Sequence, residues 1–93
     1  MLLLTYDFSD DRVRAKFSKF LEKFGHRIQY SVFEIRNSRR VLQNIKSEIE
    51  LVYKNAFTGA DSVLIFHICE GDKKKIARYG YAKNEEKDVV VFE

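Results

Sequence analysis

An α+β sandwich, with two amphipathic helices on one face of a single sheet, is the architecture this sequence predicts. Three observations carry it. Two segments repeat apolar residues at helical spacing, several shorter segments are rich in β-formers, and the two kinds alternate along 93 residues, enough for one two-layer core. A domain of this size gains appreciable stability from a second subunit, so dimerisation is expected on size alone. Residues 1–93 are expected to form one domain, with residues 76–93 as a carboxyl-terminal extension suited to pairing with a partner. The lone Cys69 cannot form an internal disulfide, which fits a reducing compartment. No apolar run approaches the roughly 20 residues of a membrane span, and no charged segment precedes the apolar start, so a soluble cytoplasmic protein with no membrane contact is expected.

Each element has its own signal. Met1 to Thr5 is a mostly aliphatic run, read as a buried strand that ends in Tyr6-Asp7. Ser9 is suited to cap a helix over about residues 10–24, Asp10 and Asp11 favour the positive end of its dipole, and Gly25 suits a left-handed end. Val13, Phe17, Phe20, Leu21 and Phe24 share one face of it. Residues 26–36 alternate loosely and read as one strand. Ser38 caps a second helix over about 39–56, with Val41, Leu42, Ile45, Ile49, Val52, Tyr53 and Ala56 as its stripe. Thr58-Gly59-Ala60-Asp61 breaks it. Ser62 to Cys69 is an apolar strand, Glu70 to Lys75 a charged loop, residues 76–82 a weaker β segment, and Asp88, Val89, Val90, Val91 and Phe92 a last strand with an open edge.

Charge is unevenly placed. The net value is only +3, but residues 1–46 hold ten Lys or Arg against five acids, and residues 47–93 hold seven against nine. Within the basic half, Arg12, Lys16, Lys19 and Lys23 recur at offsets of 4, 7 and 11, which lines them along one side of the first helix. Such a ridge can follow a phosphate backbone without reading sequence, or it can be an ordinary solvated face. Arg36, Arg39, Arg40 and Lys73-Lys74-Lys75 are secondary phosphate candidates. His26 and His67 lie far apart and build no zinc pattern with Cys69, and neither a Gly-rich phosphate loop nor a Ser/His/Asp order is visible.

Asp7 follows an apolar strand directly, so its carboxylate should emerge at the sheet edge. Alone it is either a turn former or half of a cation site, since magnesium usually takes one or two carboxylates with waters and phosphate oxygens. The short apolar strand ending Tyr6-Asp7, the basic helix closed by Gly25 and the strand Gln29-Tyr30-Ser31-Val32-Phe33-Glu34 resemble the small CRISPR-associated spacer-acquisition family, partner of the integrase subunit. The resemblance covers nearly the whole chain and is strongest over residues 1–36.

It implies a ferredoxin-like β-α-β-β-α-β fold, whereas residues 26–37, without Gly, read as one strand rather than two. It implies a homodimer that bridges integrase dimers and supports foreign double-stranded DNA during spacer integration, with the Asp88–Phe92 strand pairing to a neighbouring subunit. It also implies, for several members, a metal-dependent endonuclease, acting on RNA or duplex DNA. There Asp7 would be catalytic, sharing one magnesium or other divalent ion per dimer with its symmetry mate. Tyr6, Arg14 and Phe33 match further positions implicated in some members. Arg14 would hold a phosphate and Phe33 would stack on a base, unless Tyr6 and Phe33 are packing residues and Arg14 a solvated one. Lys16 stands where some members have Arg, which keeps the charge and loses the bidentate fork. A toxin-type ribonuclease and a regulatory module without nucleic acid are the remaining classes. A neighbouring integrase gene argues against the first, and salt-sensitive DNA binding argues against the second.

Overall fold

In the computed structural model, which describes residues 1–80, the amino-terminal run forms β1 (Leu2–Asp7). The first amphipathic segment forms α1 (Asp11–Leu21), and β2 (Gly25–Gln29) and β3 (Val32–Ile35) follow. Then come α2 (Arg39–Leu51), a 3-10 turn at Tyr53–Ala56, β4 (Ser62–His67) and a four-residue helix α3 (Glu70–Lys73). The sheet order is β2-β3-β1-β4 and every neighbouring pair is antiparallel. With helices after β1 and β3, this is the ferredoxin-like arrangement. The expected last strand, Asp88–Phe92, and residues 81–82 of the expected weak β segment lie outside the described residues; residues 76–80 are irregular, not a strand.

Strand direction fixes where everything points. Leu2, Leu4 and Tyr6 of β1 and Phe33 and Ile35 of β3 face the helices, where they meet Phe17 and Leu21 of α1, Val41 and Ile45 of α2, and Tyr53. Aromatic rings dominate this core: Phe17 makes edge contacts with Tyr6, Phe8 and Tyr53 at centroid distances of 5.2, 5.3 and 4.8 Å. Period-two alternation then sends Leu3, Thr5 and Asp7 to the opposite face, beside their register partners Phe66, Leu64 and Ser62 on β4. Val32 and Glu34 of β3 lie on the same face. Lys73 of α3 reaches this face at Glu34, while Leu64 and Phe66 on β4 remain 53% and 45% exposed.

Five further details differ from the sequence-based expectation. Residues 26–36 are two strands joined by a two-residue turn, Tyr30-Ser31, inside the run expected to be one strand. Tertiary bonds replace the missing glycine: Arg27 Nη1 donates to the Tyr30 carbonyl at 2.6 Å and the Tyr6 N–H to the Ser31 carbonyl at 3.1 Å. The pairing skips a residue between Arg27 and Gln29, leaving Ile28 as a bulge that tightens the local twist. Second, Asp10, not Ser9, caps α1, accepting from the N–H groups of Arg12 and Val13, and α1 ends at Leu21 rather than near 24.

Third, Gly25 is the first residue of β2 rather than a left-handed helix end. It is glycine because a Cβ there would overlap the Glu34 carbonyl and come within 2.9 Å of Ile35 Cα. Fourth, α2 stops at Leu51, because Val52, at φ −118°, leaves the helical path and lets Tyr53 turn its ring into the core. Val52 is thereby exposed, outside the expected stripe. Finally, β4 ends at His67, and the expected Glu70–Lys75 loop begins with α3, whose cap is the Cys69 Sγ accepting from the Asp72 N–H at 3.4 Å.

Candidate nucleic-acid interface

The four ridge residues are all exposed on one side of α1 and its following turn, and none forms an ion pair among the described residues. Lys16 Nζ lies 5.9 Å from the centre of the Tyr53 ring, and Lys23 Nζ lies 5.9 Å from that of Phe20. Both ammonium groups therefore stand over the faces of aromatic rings while the residues stay exposed. Tyr53 is itself held as a neutral phenol, its pKa raised by burial and then by Glu48. The ridge is thus anchored on a rigid base, with its cations unneutralised.

Asp7 is the last residue of β1 and is exposed, at the same end of the sheet as the start of α1. A loop clip holds this corner. The Ser9 N–H and hydroxyl donate to Asp61 Oδ1 at 2.9 and 3.0 Å, and the Thr58 N–H donates to Oδ2 at 3.0 Å. The Thr58 N–H, more than the Ser9 groups, holds the Asp61 carboxyl below its usual range. Its contribution is complete above the unfolded carboxylate value and is lost as pH falls through the lowered folded value. The clip joins the segment after Asp7 to the loop that enters β4, and Gly59, at φ +58°, supplies the sharp turn in that loop. Sequence reasoning took Asp61 only as part of a helix breaker, and the partner Ser9 lies 52 residues away.

Arg14 is not a free phosphate clamp. Its guanidinium contacts Asp11 at 2.7 Å and donates to the Phe8 carbonyl at 3.1 Å and the Tyr30 hydroxyl at 3.4 Å. The Asp11 hydrogen bond raises its pKa above the ordinary guanidinium value. Arg14 thereby ties α1 to the loop after β1 and to the hairpin tip. Tyr6 and Phe33, 4% and 0% exposed, are core residues, so base stacking is not open to Phe33 and the packing alternative holds.

Arg27 was not singled out from the sequence. It sits 5.2 Å over the Phe33 ring, grips the hairpin turn and donates to the buried Ser18 hydroxyl at 2.6 Å. Its signal was a lone cation at the head of the uncharged run Ile28–Phe33. Arg14, Arg27, Tyr30 and Lys19 line an open groove of about 410 Å³ together with the acids Asp11 and Glu22.

Metal ligation is testable on the donors present. Among the described residues no three His, Cys, Asp or Glu side chains are grouped to hold an ion. One protomer offers the single Asp7 carboxylate at the strand end, and a second copy would bring another, within the one or two carboxylates that magnesium usually takes. At the opposite end, Glu34 pairs with Lys73 Nζ at 3.6 Å and lies 3.7 Å from His26 Nε2, so its carboxylate is engaged rather than an open ligand.

A ferredoxin-like domain with an exposed strand-end carboxylate and an unneutralised cationic helix defines the class of molecule. A family model described as CRISPR associated protein Cas2 matches residues 1–76, and the chain belongs to this family. A protein named CRISPR-associated endoribonuclease Cas2 2 from Methanospirillum hungatei is 33% identical over 92 residues, covering 97% of each chain. CRISPR-associated endoribonuclease Cas2 from Thermus thermophilus is 47% identical over 49 residues, which are 53% of this chain and span 52% of that relative's length. Among solved structures, Streptococcus pyogenes Cas2 matches with a TM-score of 0.70 at 20% identity, covering 85% of this chain and 98% of that one, a likeness of fold.

Proposed function

We propose that this chain acts in CRISPR adaptation as a homodimer that bridges integrase dimers and supports foreign duplex DNA during spacer integration. One observation carries it: the two faces of the molecule are chemically segregated. The open sheet face presents Leu3, Val32, Leu64 and Phe66, apolar surface of the kind that buries against a second copy. The helix layer presents Arg12, Lys16, Lys19 and Lys23 without intramolecular partners among the described residues, suited to phosphates of any sequence. Sheet-to-sheet pairing would leave both ridges outward, free to cradle DNA. Asp88–Phe92 would add a strand to a neighbouring subunit's sheet edge.

A second reading, metal-dependent endonuclease, is favoured by the exposure of Asp7 and by the names of the relatives. The Asp7 carboxylates of two protomers would hold one divalent ion, magnesium by their oxygen chemistry. When bound, that ion would neutralise charge developing on phosphate and lower the pKa of a bound water. The chain's own part is to fix Asp7 through the Asp61 clip and to hold the phosphates along the ridge.

Asp7→Ala separates the two. The variant is expected to keep wild-type duplex affinity and to support integration by the neighbouring integrase subunit, while any cleavage of RNA or duplex is lost. Loss of integration in a variant that stays folded and dimeric would transfer the function to the carboxylate.

A further inference from the structure

Resting on a helix layer that contacts phosphates, we propose that the DNA track continues past Lys23 onto a second cationic patch. That patch is Arg36, Arg39 and Arg40, where β3 gives way to α2. Topology brings the two together. β2 runs parallel to β1, and β3 and β4 run against it, so α1 returns along the sheet in one direction and α2 in the other. The end of α1 and the start of α2 therefore share one end of the domain, opposite Asp7. The juncture is hydrogen-bonded: the Arg36 N–H donates to the Phe24 carbonyl at 2.8 Å. Lys23, Arg36 and Asn37 line the same open cleft of about 480 Å³.

The charge pattern here has no internal explanation. A helix start favours acids, because its unpaired N–H groups carry partial positive charge. α1 obeys, with Asp10 as cap and Asp11 in its first turn. α2 has no acid in its first turn and opens with two arginines behind a neutral Ser38 cap. Arg36, Arg39 and Arg40 are exposed and form no ion pair among the described residues. Glu22, Glu34 and Glu70 also line the cleft, but Glu34 is engaged by His26 and Lys73. The anion would therefore be held by Lys23 and Arg36, the cleft's cationic side chains without an ion pair among the described residues. Arg39 and Arg40 set against a helix dipole cost local stability, and polyanion contact is the compensation. From Arg12 to Lys23 the ridge is roughly 16 Å long at 1.5 Å per residue, about five phosphates of one strand measured along a duplex axis. The α2 patch lengthens this path.

The test is fluorescence anisotropy of the full chain with a labelled 30-base-pair duplex of arbitrary sequence, over a salt series. Arg36→Gln/Arg39→Gln/Arg40→Gln is expected to weaken binding at least about tenfold near 0.1 M salt and to flatten the plot of log K against log salt by about 2 to 3. The Arg36→Lys/Arg39→Lys/Arg40→Lys variant should keep the wild-type slope, since phosphate contact needs charge. Thermal melting controls for folding, and the glutamine variant should melt no lower than wild type because repulsion with the dipole is removed. A wild-type slope in the glutamine variant, with Arg12→Gln/Lys16→Gln/Lys19→Gln still losing slope, overturns the α2 patch alone. Wild-type protein with no duplex affinity at low salt overturns the patch together with the adaptation role.

Discussion

Replacing Arg12, Lys16, Lys19 and Lys23 together by Gln is expected to lower affinity for a short duplex about 100-fold or more near 0.1 M salt, and to remove between about 3 and 4 from the slope of log K against log salt. The expectation follows from placement. All four side chains are solvent-exposed and unneutralised among the described residues, so each can displace a counterion from a phosphate, and each contact adds a similar increment. Stability should change little, because all four side chains are exposed and the two cation–ring contacts at 5.9 Å are worth only about 0.5–1 kcal/mol each at exposed sites. Loss should be equal for duplexes of unrelated sequence, since no base edge is being read. Anisotropy titrations with two unrelated duplexes measure both points, and a variant that keeps wild-type affinity would leave the ridge as an ordinary solvated surface.

Gly25→Ala is expected to be the most damaging single substitution for the fold. The new methyl would fall on the Glu34 carbonyl and crowd Ile35 Cα, both backbone, so no side chain can swing away. Relief requires β2 to move off β3. That would disturb the neighbouring Gly25↔Ile35 and His26↔Glu34 pairs, and with them the strand that carries Arg27 and its grip on the hairpin. A cost of at least about 3 kcal/mol, the upper part of the overpacking range, is expected, which lowers the melting temperature of a domain this size by roughly 15 °C. Circular dichroism melting checks it. A change of only a few degrees would mean that β2 is loosely attached, contrary to the close approach described above.

How much of this could be read from the chain depends on how local each determinant is. The stripe Val13, Phe17, Phe20, Leu21 and Phe24 was legible because one helix's periodicity decides it, and every member packs in or against the core. β1 was legible because an aliphatic run meets Asp7 abruptly. The Tyr30-Ser31 hairpin was not: its turn carries no glycine and is held by Arg27 across the hairpin and by Tyr6 from another strand, bonds that no local pattern encodes. Family resemblance indicated two strands where the residues alone suggested one. Gly25 was recognised as special for the wrong reason, since a helix end and a close strand approach both call for glycine and only the neighbouring backbone tells them apart.

The candidate site divides in the same way. Asp7 and the ridge followed from strand ending and helical spacing, and both are exposed where those rules place them. Arg14 looked free because its partners, the Phe8 carbonyl and the Tyr30 hydroxyl, meet it only in three dimensions. Phe33 illustrates the same limit. In sequence it is an aromatic in a strand, and only the register, with Leu4 opposite it, turns it toward the helices and away from any base.

Native mass spectrometry of the wild-type chain beside Leu64→Asp/Phe66→Asp tests the segregation of faces most directly, because it examines the open sheet while leaving the helix layer untouched. At micromolar concentration the wild type should appear at twice the 11.0 kDa chain mass. The double variant should appear at the single mass with its circular dichroism intact, since both side chains already face solvent in one protomer. A wild-type monomer at that concentration, or a double variant that dimerises as well as the wild type, would contradict sheet-to-sheet pairing and the outward-facing ridges that depend on it.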